Sequence, residues 1–529
     1  MHDYIIIGAG SAGCVLANRL TEDARTTVLL LEAGKPDRSL FIRIPVAASL
    51  LYKGSYDWAF ETEPQPYLNN RQLYFARGKG LGGSSSINSM VYMRGAPQDY
   101  DQWASLGNSG WSYAEVLPYF KKLEHYERGA SDYHGVDGPL NVADPRCVNP
   151  LTRAFVEAAV AVGYARNGDF TGAAQEGIGL YQLTQKGGQR HSAADAYLKP
   201  ARRRRNLTTI SHARVTRLLI EDNQAAGVTY LHNGRLREAR ARREVLLCSG
   251  AIQSPQLLML SGVGPADHLQ SLGIPVVSDL PGVGQNLHDH VVMGVMCSCS
   301  RPISLTRMLT PWNLPGTILR YALFRQGPFT SNVVEAGGYV KSLPDLPAPD
   351  LQFDFLPVWA LDHGLIRLKG HGFIVVAVLL CPQSRGSISL RSSDPLDAPR
   401  IQPDYLAHED DRAALLRGLR LLRQVVETPP LVKLRRAERI PGPQAQSDDD
   451  LLASTRAYAE NGDHPVGSLK MGPRHDPLAV VDEQLRIHGL QGVRVVDASV
   501  MPTIPRGHTN VPTIMIAERA ADLIKADNR

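Results

Sequence analysis

Three glycines in the order Gly8-x-Gly10-x-x-Gly13 carry the first chemistry legible in the chain. Gly8 permits a tight turn, Gly10 lets the backbone approach a pyrophosphate, and Gly13 lets the following helix pack against the preceding strand. The start of that helix offers free amides and partial positive charge to phosphates. Glu32 lies where a carboxylate accepts hydrogen bonds from both ribose hydroxyls, which disfavours the 2′-phosphate of NADP. Nothing in this pattern separates FAD from NAD.

Other clusters carry less. His288-Asp289-His290 places two imidazoles two residues apart, but no further group with zinc-site spacing accompanies them, so the segment reads as structural and no metal is expected. Cys297 and Cys299 read as alternate residues of a strand. Gly78, Gly80 and Gly83 repeat the glycine spacing without a comparable strand before them and run into Ser84-Ser85-Ser86, which suits a loop of close approach. The absence of a Gly-x-Ser-x-Gly elbow speaks against a serine hydrolase.

The elements that must position the first turn are present in order. Tyr4 to Ile7 reads as a buried parallel strand, Ala12, Val15, Leu16 and Leu20 share one helix face, and Thr27 to Leu31 form a second strand closed by Glu32. Strand-like runs at 245–248, 373–380 and 494–496 alternate with helical stretches such as Asp410 to Val426, so the class is mixed α and β. The prolines at 344, 347 and 349, and at 429 and 430, mark loops that bound inserted elements.

The 529 residues suffice for two large domains. With 43% hydrophobic and 21% charged residues, disordered, collagen-like and coiled-coil chains are excluded. A net charge of +5 over this length does not point to nucleic acid. Six sparse cysteines suit a reducing compartment, and the N-terminus carries no export signal, so a cytoplasmic location is expected. The apolar run Phe373 to Cys381 stops at Pro382, far short of the roughly twenty residues a spanning helix needs. Arg202 to Arg205 read as a solvated basic loop, with peripheral contact to an anionic inner-membrane surface as the alternative.

The chain also resembles the glucose-methanol-choline family of flavoprotein oxidoreductases over nearly its whole length. The N-terminal turn is joined by Arg77-Gly-Lys-Gly-Leu-Gly-Gly-Ser-Ser-Ser-Ile-Asn88 and by Gly250-Ala-Ile-Gln-Ser-Pro-Gln-Leu-Leu-Met-Leu-Ser-Gly262, which look like the two family signatures. The segments 281–290, 464–472 and 496–499 follow in family order. Within the family, 167–170, 181–186 and 330–338 look most like bacterial dehydrogenases of aliphatic alcohols and polyethylene glycol, and slightly less like choline dehydrogenases.

This resemblance implies an α/β plus α+β fold: a Rossmann-like FAD-binding domain with a discontinuous substrate-binding domain built on an antiparallel sheet. Residues 1–300 would be mostly FAD-binding, 301–464 would form the substrate domain, and 465–529 would return to the FAD domain. Carried over by position, Gly8, Gly10, Ser11, Ala12, Gly13, Glu32 and Ala33 serve the ADP half, and Val215 touches adenine through its backbone. Ser84, Asn88 and Val91 line the flavin side, while Asp497 and Ala498 face the pyrophosphate and ribityl chain. Some members attach FAD through a histidine two residues before Arg77; here that position is Phe75, so non-covalent FAD is expected.

The implied activity is oxidation of a primary alcohol to an aldehyde, with hydride transfer to flavin N5 and a histidine base. An imidazole with an ordinary pKa near 6.5 suits the second task. The family pattern selects His464 as base and His508 as its partner, with Asn510 as the fallback and otherwise a cofactor-binding residue. Bacterial relatives commonly have asparagine at the partner position, so a His-His pair resembles glucose and aryl-alcohol oxidases. Asp463 replaces a frequent aromatic residue and is expected to be solvated. Val292 stands where choline-oxidising members carry glutamate, which speaks for a neutral alcohol, and Glu335 reads as structural. The alternatives are choline dehydrogenase, an aryl-alcohol or hydroxymethylfurfural-type oxidase, or a non-oxidising flavoprotein. Oxygen, a quinone or a cytochrome all fit as electron acceptor.

Overall fold

The computed structural model describes residues 1–527. Its first sheet has a parallel core in which Leu207–Ile210, Val28–Leu31, His2–Ile7, Arg235–Leu247 and Val493–Val495 lie side by side. The apolar run Tyr4 to Ile7 is buried throughout, as expected of a strand covered on both faces. Antiparallel strands Gln224–His232 and Ala213–Glu221 extend this sheet from the polar N-terminal half of Arg235–Leu247. The chain thus contributes to one sheet from three separate regions of sequence.

Helix Ser11–Leu20 follows the first strand after a turn in which Gly8 adopts φ 96°. A side chain at Gly13 would put its Cβ 1.9 Å from the Gly8 carbonyl oxygen, so close packing of helix on strand requires glycine there. The C-terminal helix Asn510–Asp527 packs along Ser11–Leu20. Its buried Glu518 accepts hydrogen bonds from Arg19 and Tyr197, and so joins both ends of the chain to the middle.

The second sheet is antiparallel, in the order Ala336–Val340, Leu351–Leu356, Gly372–Leu379, Val291–Cys299, Arg435–Ile440, with Glu460–Asn461 beside the start of Val291–Cys299. Helix Glu409–Val426 covers one face, where Gly418 sits against Ala377 and Leu351. Strand periodicity turns Val292, Gly294 and Met296, with Ile374, Val376 and Val378, toward a cavity on the other. Cys297 and Cys299 are strand residues, and all six cysteines are free thiols.

Within the basic cluster, Arg204 is not solvated: it donates to the Asn18 carbonyl and the Thr21 hydroxyl near the end of the first helix. Arg202, Arg203 and Arg205 are exposed. Among the described residues, no helix is long and apolar enough to cross a membrane.

Gly13→Ala forces the added methyl into the Gly8 carbonyl and should destabilise the fold by about 1–3 kcal/mol, the range for overpacking a tight contact. Urea unfolding measures this, and an unchanged midpoint would show that the two elements separate freely.

Candidate active site

A cavity of ≈ 680 Å³ runs between the two sheets. Fifteen of the sixteen residues selected from the sequence line it: Gly8, Gly10, Ser11, Ala12, Glu32, Ala33, Ser84, Asn88, Val91, Val215, His464, Asp497, Ala498, His508 and Asn510. Gly13 does not, because its role lies in the packing behind the turn.

At the glycine end, Gly10 is the N-cap of Ser11–Leu20 and supplies no side-chain hydrogen bond to the helix. The first amides of this helix therefore lack intrahelical partners at a wall of the cavity, as an anion site requires. A Cβ on Gly10 would meet nothing closer than 3.9 Å, and one on Gly250 nothing within 4 Å, so open space lies beside both turns. Glu32 accepts from the Ala9 and Gly34 amides, one on each carboxylate oxygen, and burial raises its pKa. With the Gly80 amide as a third donor, the carboxylate still retains a lone pair for a further donor.

The Asp497 carboxylate is already engaged, accepting from the Gly250 amide and the Ser254 hydroxyl on one oxygen and from Ser499 on the other. Its side chain therefore clamps the start of helix Gly250–Leu260 beside the cavity. Asn510 accepts a hydrogen bond from the Ser11 hydroxyl at 2.6 Å, which places it at the glycine end rather than as a partner of His464.

At the other end, the rings of His464 and His508 meet edge to face with centroids 4.9 Å apart. His290 completes a row of three imidazoles: its Nδ1 lies 3.0 Å from His464 Nδ1, with centroids 5.1 Å apart. Asp289, the residue before it, accepts the His464 main-chain N–H at 2.6 Å and a hydrogen bond from Tyr405. The segment read only as structural thus holds His464 by both backbone and ring. Sequence reasoning missed this contact across 174 residues, although the paired imidazoles of His288-Asp289-His290 were a usable signal. Among the described residues, no group of three or more His, Cys, Asp or Glu is placed to hold a metal ion.

Asp463 corrects an expectation. It adopts φ 60°, and its carboxylate accepts from the Ala76 amide and pairs with Arg77 and His363, so it is neither solvated nor turned to the His464 ring. Left-handed backbone is well tolerated by aspartate, and here it sends adjacent side chains to different partners. Glu335 is buried, accepting from Ser331, Thr152 and the Asn149 amide, which bears out its structural reading.

The electrostatics favour neutral imidazoles. Burial, then the neighbouring His508 and His290 and Arg77, hold the His464 pKa well below the usual histidine value. Burial also lowers His508, partly offset by the Asp354 carboxylate, which lines the same cavity. His290 is lowered to about 3 by burial and by His508, and His288 to about 3, chiefly by burial.

Comparison with known proteins completes the description. The N-terminal family model described as GMC oxidoreductase matches residues 2–292, and the C-terminal one matches 382–517. The chain is 46% identical to an alcohol dehydrogenase [acceptor] of Pseudomonas putida, over 99% of this chain and 96% of the relative. It is also 46% identical to oxygen-dependent choline dehydrogenase 1 of Chromohalobacter salexigens, over 99% and 95%. A solved FAD-dependent oxidoreductase from Chaetomium thermophilum shares 28% identity at a TM-score of 0.91, covering 100% of each chain.

Histidines that fold neutral but titrate near 6.5 when unfolded make the unfolded chain bind more protons in acid. Their stabilising contribution is full above about pH 6.5 and declines as pH falls toward 3. A urea series across that window should show stability falling with pH, with a shallower slope in His290→Gln; equal slopes would contradict a buried neutral His290.

Proposed function

The chain belongs to the GMC oxidoreductases, and from that premise we propose that it is an FAD-dependent alcohol dehydrogenase or oxidase that converts a primary alcohol to its aldehyde. The observation that carries this reading is one cavity that has a dinucleotide turn at one end and two paired neutral imidazoles at the other.

The residues present fit FAD. The free amides after Gly10 suit the pyrophosphate, Glu32 the ribose, and Ala33 and Val215 the adenine, while Ser84, Asn88, Val91 and Ala498 suit the flavin half. Phe75 is buried and offers no nucleophile, which supports non-covalent attachment. Residues 1–300 and 465–529 then form most of the cofactor side, and 301–464 most of the substrate side. Bound FAD supplies the two-electron acceptor.

The chain's own part is to hold the alcohol and take its proton. For His464 to accept that proton at Nε2, its Nδ1 must carry hydrogen and donate to His290 Nδ1. The Leu380 carbonyl favours a proton on His290, and its Nε2 has no hydrogen bond of good geometry. A proton at Nε2 leaves His290 Nδ1 free to accept. His290 is in this way a positioning residue that fixes the tautomer of the base. His508 hydrogen-bonds the substrate oxygen and stabilises its developing negative charge. Two imidazolium ions at this separation would repel, so the pair carries at most one proton between them.

Val292 on the cavity wall is apolar, and Glu335 is fully engaged elsewhere, so neither supplies a carboxylate for a quaternary ammonium. At these two positions the chain favours a neutral alcohol over choline, while Asp354 and Glu460 are the carboxylates on the cavity wall that a cationic substrate would have to use. A non-oxidising flavoprotein would have no use for an oriented neutral base.

Anaerobic mixing with aliphatic, aromatic and glycol alcohols and with choline tests the reading. Neutral primary alcohols should bleach the flavin, and His464→Ala should slow this by about 100-fold or more at unchanged flavin content, as expected of a general base. Purified protein that takes up no FAD on reconstitution, or a near-normal rate in His464→Ala, sinks it.

For His290, replacement by Phe should lower kcat about tenfold with KM little changed. His290→Asn, whose amide oxygen still accepts, should restore most of the rate. Equal loss in both variants would leave His290 with a packing role only.

A further inference from the structure

Helix Leu314–Phe324 buries only Tyr321, although seven of its eleven residues, LPGTILRYALF, are hydrophobic. Leu319, Leu323 and Phe324 are exposed on it, and Trp312, just before it, is 92% exposed. Tyr321 anchors the helix through its hydroxyl, which donates to the carbonyls of Gly188 and Arg43. The helix rests on the turn Pro328–Thr330, which packs on Pro45–Leu50, next to the short helix Leu40–Arg43. There Leu40 is 72% exposed and Phe41 is exposed as well. Phe41, Leu50, Leu309 and Phe329 also line the cavity, so the apolar surface borders its mouth. An exposed apolar surface of this kind marks an interaction site.

Charge identifies the partner. Segments 38–56 and 301–334 contain no aspartate or glutamate, yet they carry Arg38, Arg43, Lys53, Arg301, Arg307, Arg320 and Arg325. None of these seven forms an ion pair among the described residues, whereas arginines elsewhere in the chain are widely paired. Apolar side chains that include tryptophan, combined with unpaired arginines and no acids, are the two signals of an interfacial anchor. We infer that this face docks on an anionic lipid bilayer, with helix 314–324 lying in the headgroup region and the cavity mouth turned toward the membrane. The basic cluster at 202–205 has no part in it. The inference does not depend on the reaction catalysed.

The test is flotation of the purified full chain with vesicles of phosphatidylcholine alone or mixed equally with phosphatidylglycerol, alongside tryptophan emission. The protein should float with the mixed vesicles only, with a blue shift that is lost in Trp312→Phe, and raised salt should release it. Leu319→Asp with Leu323→Asp should abolish binding at unchanged flavin content. Arg307→Glu with Arg320→Glu should weaken it by on the order of tenfold or more, and Arg203→Glu with Arg205→Glu should leave it intact. No flotation with phosphatidylglycerol, or binding that follows residues 203 and 205 instead, overturns the inference. So does a lipid-free dimer that the aspartate variants dissociate, because a second copy would then cover the face.

Discussion

The bond from the His464 main-chain N–H to the Asp289 carboxylate fixes the imidazole pair at one end of the cavity. His464 follows the Glu460–Asn461 strand at the edge of the antiparallel sheet, whereas its neighbour Arg77 belongs to the N-terminal region. Asp289 precedes the longest strand of that sheet, so the one contact ties His464 to the sheet that walls the cavity. Asp463 then pins the same turn to Ala76 and Arg77. Two consecutive residues thus join the antiparallel sheet to the N-terminal region, and the His464 ring lines the cavity beside them.

Burial does the electrostatic work at this point. Three imidazoles in contact would repel if protonated, and burial makes charge costly. Both effects keep the row uncharged, and an uncharged imidazole is the form that can accept a proton. Asp354 offsets this at His508 alone, so the two cavity-facing rings differ in basicity despite their proximity.

Much of this was legible in the chain because it depends on local order. The glycine turn, its flanking strands and Glu32 lie within the first 32 residues, and their spacing reports backbone constraints directly. The site residues carried over from the family motifs converge on one cavity, most of them at or next to the ends of helices and strands. The role of His290 was not legible: its partner is 174 residues away, and strand spacing says which face a residue takes but not what it meets there. Asp463 was misread because adjacent side chains were assumed to diverge into solvent, whereas a positive φ delivers this one to Arg77 and His363. The unpartnered helix 314–324 was missed because an apolar run looks the same in sequence whether or not anything covers it.

The Ser11 hydroxyl and Asn510 are 499 residues apart in the chain and 2.6 Å apart in space. The wall at the glycine turn is thus shared by two stretches that no local folding step can bring together, and it forms only when helix Asn510–Asp527 has docked on Ser11–Leu20.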